Sequence, residues 1–296
     1  MRIGSFIARL ALWLAVLRCL GGAPAFAQVE ISGEWGGRLH EEQPARGPGP
    51  FIGDFAGLPL NEASRFNAES WDPSILSLIE HQSQQYTSVF SFYAPGNKRI
   101  SKVIDDVSQR LIAYKIHLSI GEVPRTIWMD GRAHPPEYAA HTWAGFSTGR
   151  WSGRMLTVET THLKAGYLAR NGVRHTDRAT LTEHFVRHGN YLTVIVIVGD
   201  PAYLDEPFVQ SWNFALNPDQ QFPPMRKLST FNEVAGHAKG YVPHYLPGQN
   251  PYLREFSDLT GIPFEVTRGG KETMYPEYRL KLSDVRTKLL PRPAQP

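Results

Sequence analysis

Residues 180–198, TLTEHFVRHGNYLTVIVIV, decide the fold, and they raise a chemical question as well. Glu183, His184 and His188 lie within six positions of one another. On a helix, the two histidines would sit one turn apart and could share a zinc ion. On a strand the same spacing separates them by roughly 13 Å, too far for one ion. Thr180, Thr182, Phe185 and Val186, the Gly189–Asn190 pair and the β-branched run LTVIVIV all favour a strand, a tight turn and a return strand. The triplet is therefore read as one arm of a hairpin and not as a metal site. A two-residue turn at Gly189–Asn190 pairs His188 with Tyr191, Glu183 with Val196 and His184 with Ile195. Glu183 and His184 then face opposite sides of the sheet. Whichever faces inward needs a hydrogen-bond partner in apolar company. It is either a satisfied structural group or a general acid or base, which makes Glu183 and His184 candidate catalytic residues.

The same period-two texture extends outward from this hairpin. Strands are expected in ISGEWGGRLHE, YTSVFSFY, KRISKVI, RLIAYKIHLSI, RTIWM and PFVQSWNFAL. A second hairpin is expected with Ser152–Gly153 as its turn, which would place Trp143 opposite His162. Short helices fit LNEASRFNAES, capped near Asn61, and NPYLREFSDLTG, ending before Gly261. Nine or ten sequential strands joined by short turns make an all-β antiparallel meander, and closure into a β-barrel would remove its edges. Residues 28–217 are assigned to the barrel. Residues 218–296, rich in proline, form an extended C-terminal segment with one short helix, packed on the barrel. LTVIVIV, apolar on both faces, calls for cover on both sides.

Residues 1–27 have the layout of a secretory signal peptide: Arg2 and Arg9, then LALWLAVL, then APAFA before Gln28. The apolar run is too short to span a bilayer, so no transmembrane segment is expected in the mature chain. The full chain carries 31 basic and 28 acidic residues. Its first 27 residues hold three arginines and no acid, which leaves 28 basic against 28 acidic. A formally neutral mature chain gives no electrostatic footprint for nucleic acid. The only cysteine, Cys19, leaves with the leader, so disulfides, thiolate metal sites and a thiol nucleophile are excluded from the mature protein. The expected location is periplasmic or secreted, and the expected state a monomer.

MDGRAHPPEYAAHTWAGF, residues 129–146, concentrates functional groups between two strands. Loops at the end of a scaffold commonly hold sites. Asp130, Arg132, Trp143 and His162 are candidate ligand-binding residues. His134, His141 and His162 could converge; three imidazoles with an open fourth position would make a catalytic zinc site, with His141 alternatively an acid–base group. No Gly-x-Ser-x-Gly elbow, phosphate-binding glycine loop or His-Glu-x-x-His stretch is present.

Several stretches taken together, SGEWGGRLHEEQP, IWMDGRAHPPEYAAHTWAGFSTGRWSG, ATLTEHFVRHGNYLT, VPHYLPGQNP and RGGKETMYPEYR, resemble a family of uncharacterised secreted bacterial proteins. That resemblance implies an exported all-β protein and carries no reaction with it. The Gly33-x-Trp35 opening is also similar to the first strand of lipocalins, which implies a lipocalin-like barrel binding a small apolar molecule. Three functional expectations follow. The first is a barrel that binds a small apolar or aromatic molecule in a polar–aromatic pocket. The second is an enzyme using histidine and glutamate, or a zinc ion on three histidines, for hydrolysis, isomerisation or elimination. The third is a structural envelope protein.

Overall fold

A computed structural model describes residues 29–38, 50–78, 81, 84–90, 97–118, 124–220, 238, 240–278 and 280. The signal-peptide assignment and Cys19 fall outside these residues. The chain divides into two compact units, residues 1–30 and residues 31–296, and every element below belongs to the second.

Nine strands close into a barrel. They are β1 (Gly33–Gly37), β2 (Lys98–Ile104), β3 (Leu111–Leu118), β4 (Arg125–Trp128), β5 (Phe146–Ser152), β6 (Met155–Thr161), β9 (Thr180–His188), β10 (Tyr191–Gly199) and β11 (Phe208–Leu216). Between β6 and β9 the chain inserts a small two-stranded sheet, β7 (Gly166–Tyr167) with β8 (Arg174–His175). Around the barrel the order is β1-β11-β10-β9-β6-β5-β4-β3-β2, so the first strand seals the ring between β2 and β11. The expected meander is thus interrupted by that insertion, and also between β1 and β2, where a helix at Glu62–Glu69 and a 3-10 turn at Pro73–Ser77 intervene. The barrel also contains one pair that no meander makes: β4 and β5 run parallel, through Ile127 with Ser147 and Trp128 with Thr148. Parallel neighbours need a long crossover connection. Here that crossover is residues 129–145, the histidine-bearing loop.

The Gly189–Asn190 hairpin has the register read from the sequence: Tyr191 pairs with His188, Val196 with Glu183 and Ile195 with His184. The second hairpin slips. Ser152 pairs with Met155, so Gly153 and Arg154 form its turn, not Ser152 and Gly153. The cause is the positive φ needed at the first turn position, which Gly153 supplies at 58° as Gly189 does at 63°. The slip removes Trp143 from His162 and sets it under Lys164, whose Nζ lies 4.9 Å from the Trp143 ring centroid.

Alternation along each strand sorts the side chains. Leu181, Glu183 and Phe185 of β9 are buried, as are Leu192, Val194, Val196 and Val198 of β10. Trp35, Ile100, Tyr114, Ile116, Leu118, Ile127, Leu156, Val158, Phe208, Trp212 and Phe214 are buried as well. Nine strands give a barrel little wider than its own side chains can occupy, and two indoles, a phenol and several phenyl rings point into this one. Lys98 is also buried, with its Nζ 4.6 Å from the Phe214 ring centroid. Arg187, on the same face of β9 as Phe185, stacks over Trp35 at 5.3 Å. The outer partners Ile195 and Ile197 of β10 are only half-buried, so the cover expected over both faces of LTVIVIV is partial.

Residues 51–72 form the main cover at the barrel end where β9 begins. Phe55, Leu60 and Ala68 join the barrel core, and Leu60 bridges to Leu204. Helix α1 (Glu62–Glu69) starts at Asn61, whose side chain accepts from the Ser64 N–H at 2.9 Å. YTSVFSFY does not make the expected strand: residues 88–90 are a turn, closed by the Phe90 N–H to the Thr87 carbonyl at 2.9 Å. Thr87, Ser88, Val89 and Phe90 are all buried, which a half-buried strand does not allow. The remaining residues of that stretch, 91–93, lie outside the described set. The C-terminal segment leans on this cover. Tyr245 N donates to Ser70 O, Phe55 N to Thr267 O and Gly270 N to Leu58 O. Its helix α2 (Glu255–Thr260) ends at Gly261, with φ 71°, as the sequence indicates. A short helical turn, α3 (Phe264–Thr267), and a 3-10 turn at Lys271–Met274 follow. Among the described residues, no helix is long and apolar enough to cross a membrane.

Candidate functional site

Polar chemistry gathers on both faces of the wall formed by β4, β5 and β6. Arg125 opens β4 and points inward with Ile127; both are buried. Its Nε donates to Ser147 Oγ at 3.0 Å and its Nη2 to Thr160 Oγ1 at 2.6 Å. Nη1 donates to Glu183 Oε1 at 2.8 Å, and Nη2 also bonds Glu183 Oε2. Glu183 is fully buried, so the inward member of the Glu183–His184 pair is the glutamate, and Arg125 is the partner it requires. His184 faces outward, its Nδ1 3.0 Å from Thr157 Oγ1. Glu183 and His184 are thus on opposite sides of the barrel wall, as alternation along a strand requires. His188 lies at the turn, with Nε2 2.9 Å from Thr193 Oγ1.

Because Ser147 and Thr160 point inward, their neighbours Thr148 and Thr161 point outward, and the crossover loop folds back onto them. His134 Nε2 is 2.8 Å from Thr148 Oγ1, and its Nδ1 is 2.8 Å from Thr161 Oγ1. Thr161 Oγ1 also lies 2.7 Å from His162 Nδ1, and His162 Nε2 lies 3.0 Å from Pro136 O. A carbonyl only accepts, so His162 Nε2 carries the proton and, in the neutral ring, Nδ1 is bare. Thr161 therefore donates to His162 and accepts from His134 Nδ1–H, which leaves His134 Nε2 to accept from Thr148. The result is a one-way chain, Thr148 to His134 to Thr161 to His162 to Pro136. Burial holds His134 below the ordinary imidazole range, and His162 beside it pushes the same way, against Glu159.

His141 completes the group. Its ring centroid is 5.3 Å from that of His162, and its Nδ1 lies 2.8 Å from Leu163 O. By the same reasoning Nδ1 is protonated and Nε2 is a bare acceptor, without a hydrogen-bond partner among the described residues. His162 has φ 56°, a left-handed conformation uncommon for a side-chain-bearing residue and typical of constrained sites. Phe146 meets His134 edge-on at 5.3 Å. Arg132 stacks over Trp128 at 3.5 Å and is ion-paired with Asp130, whose carboxyl Arg132 holds below its usual range. Tyr138 is 90% exposed at the loop's crest.

The structure thus brings His134, His141 and His162 together, as the sequence suggested, with Asp130, Arg132 and Trp143 on the same loop. It sets them on the outer wall and not in the barrel's mouth. His134 and His162 each spend both ring nitrogens on hydrogen bonds. Among the described residues no group of three His, Cys, Asp or Glu is arranged to hold a metal.

Arg125, Ser147 and Thr160 were missed from the sequence. The available signal was the cation at an inward position of RTIW, set against a glutamate that needed a partner. A second buried group was missed as well. His175 Nε2 is 2.8 Å from Thr87 Oγ1, and its Nδ1 lies 2.9 Å from Thr176 O. Asp200 holds Thr176 through its backbone N–H and hydroxyl, at 2.6 and 2.8 Å. Compared with family models, curated proteins and solved structures, the chain matches none.

Proposed function

We propose that this is an exported, monomeric binding barrel. Its ligand is a small, mainly apolar or aromatic molecule that sits on the outer wall, against the loop of residues 129–145. The observation that carries this reading is the fixed cluster of His134, His141 and His162 beside Phe146 and Trp143. Large side chains of the barrel's own core take up its interior, which directs a ligand to the outside. Small-molecule sites pair apolar area with a few oriented polar groups. Here Trp143, Phe146 and Tyr138 supply the area. The bare Nε2 of His141 supplies an acceptor, so the preferred ligand presents an O–H or N–H donor beside its apolar body.

Native mass spectrometry tests this on mature protein exported to a periplasm and purified without a histidine tag, with Nile red titration as a second readout. A stoichiometric organic ligand or saturable dye binding is expected, weakened by Trp143→Ala and His141→Ala. No ligand and no dye binding, or binding indifferent to both substitutions, would overturn the reading. Metal analysis on the same sample addresses the enzyme alternative. A zinc ion would require His134 to release a threonine hydroxyl and His162 to release Pro136 O or Thr161. Stoichiometric zinc lost on replacing each histidine would replace the binding barrel with a metal-dependent enzyme.

A further inference from the structure

The seam between β4 and β5 is the weakest joint of the ring. It is the only parallel joint and has two paired positions, against three for each joint of β1 and four or more elsewhere. Backbone pairing at such a joint is correspondingly thin, and parallel pairing is slightly weaker per residue. Yet the single cation that starts β4 reaches past this seam to three strands: Ser147 on β5, Thr160 on β6 and Glu183 on β9. Packing at the seam is close as well. A Cβ added to Gly149 would stand 2.6 Å from Met129 Sδ, 3.0 Å from Ile127 Cγ2 and 3.2 Å from Leu156 Cδ1, so it would press on side chains at the seam.

We propose that the β4–β5 seam is a gate in the barrel wall and that Arg125–Glu183 is its latch. In the open form, β4 and the start of the crossover loop part from β5, while the antiparallel ladders β5-β6-β9-β10-β11 stay closed. The latch works by spanning strands, which an apolar pair of similar volume cannot do. It is therefore distinct from a buried ion pair that merely adds to or subtracts from stability. Opening at this joint would uncover Arg125 and Glu183 together with Ser147 and Thr160, the polar group enclosed at this wall.

Hydrogen exchange read by mass spectrometry on the full chain separates these cases. In the wild-type protein, peptides covering residues 125–129 and 146–149 are expected to exchange faster than those of β9 and β10. In Glu183→Gln that difference is expected to widen by roughly tenfold, since local opening is set by local contacts. The double variant Arg125→Met/Glu183→Leu regains resistance to urea, but its seam peptides stay fast. Uniform acceleration across all strands, or slow seam exchange restored in the double variant, would overturn the latch. Gly149→Ala is the control that leaves the charges in place: by wedging the seam it should accelerate the same two peptides alone. If Glu183→Gln does not fold, this variant decides, and acceleration spread over the whole barrel or absent altogether defeats the proposal.

Discussion

Arg125 and Glu183 are bonded to each other although their strands are not neighbours: β5 and β6 lie between β4 and β9 in the ring. The pair is buried, and each member bonds the other, with Ser147 and Thr160 taking the remaining guanidinium donors. Removing one partner strands a charge in low dielectric, whereas removing both does not. Arg125→Met should therefore cost about 3–5 kcal/mol in urea unfolding, and Arg125→Met/Glu183→Leu should recover most of it. A double variant as unstable as the single one would show that the cost lies in lost packing and not in the stranded carboxylate.

The histidine chain makes a prediction about the crossover loop. His134 links Thr148 of β5 and Thr161 of β6 to residues 129–145, in addition to the bonds from His162 to Pro136 O and from His141 to Leu163 O. Tyr138 stands exposed at the crest of that loop. His134→Ala should lower the barrel's unfolding free energy by about 1–3 kcal/mol, the net worth of two neutral hydrogen bonds. It should also speed chymotryptic cleavage at Tyr138 by roughly tenfold, because cleavage follows the local opening of the loop. Equal cleavage rates would mean that the stiffness of Pro135 and Pro136 and the bonds from His162 to Pro136 O and from His141 to Leu163 O suffice to hold the loop.

How far the sequence reached follows from what each feature depends on. The Gly189–Asn190 turn depends on two residues and the alternation beside them, and its whole nine-pair ladder was readable. The other hairpin depends on which of two adjacent positions must take a positive φ; choosing Ser152 as the first turn residue in place of Gly153 displaced the register. YTSVFSFY alternates like a strand, but its residues Thr87 to Phe90 are all buried by tertiary packing, and local pattern cannot show that. The parallel seam joins consecutive strands, but its direction is set by how residues 129–145 cross over, which the alternation pattern does not carry. That Glu183 or His184 required a partner could be read, but the partner's identity could not. The convergence of His134, His141 and His162 was readable as a possibility because one short loop carries two of them. Its place on the outer wall needed the inward assignment of Ser147 and Thr160.

Asp54 carries a cost that a substitution can remove. Burial raises its carboxyl to about 6, against the Ala56 N–H, which favours the charged form. The folded protein therefore binds more protons than the unfolded chain between 3.8 and about 6, and stability falls as pH rises through that window. Asp54→Asn keeps an acceptor for Ala56 and should stabilise the protein near neutral pH by about 1–2 kcal/mol, allowing for partial exposure. Below pH 3.8 the gain should vanish. A gain that is the same at both ends would point to packing.

His175 behaves in the opposite sense. It is wholly buried, and that burial lowers its pKa to about 4, against the help of Thr176 O and Asp200 and with a further push down from Arg174. Its Nδ1–H points at a carbonyl, so Nε2 is the bare acceptor of the Thr87 hydroxyl. Protonating Nε2 reverses that bond and places a charge among Thr87, Gly166 and the β7–β8 turn, where an added Cβ on Gly166 would already stand 2.9 Å from the ring. The folded pKa lies below the unfolded value of 6.5, so the neutral ring's contribution is complete above 6.5 and is lost as pH falls toward 4. The loss should reach about 3 kcal/mol, the free-energy equivalent of that shift. Urea titrations of wild type and His175→Gln across this range isolate it, because every carboxylate titrates in both. The wild-type stability should decline more steeply than the variant's between pH 6.5 and 4, and parallel curves would mean that the ring reaches solvent before it takes up its proton.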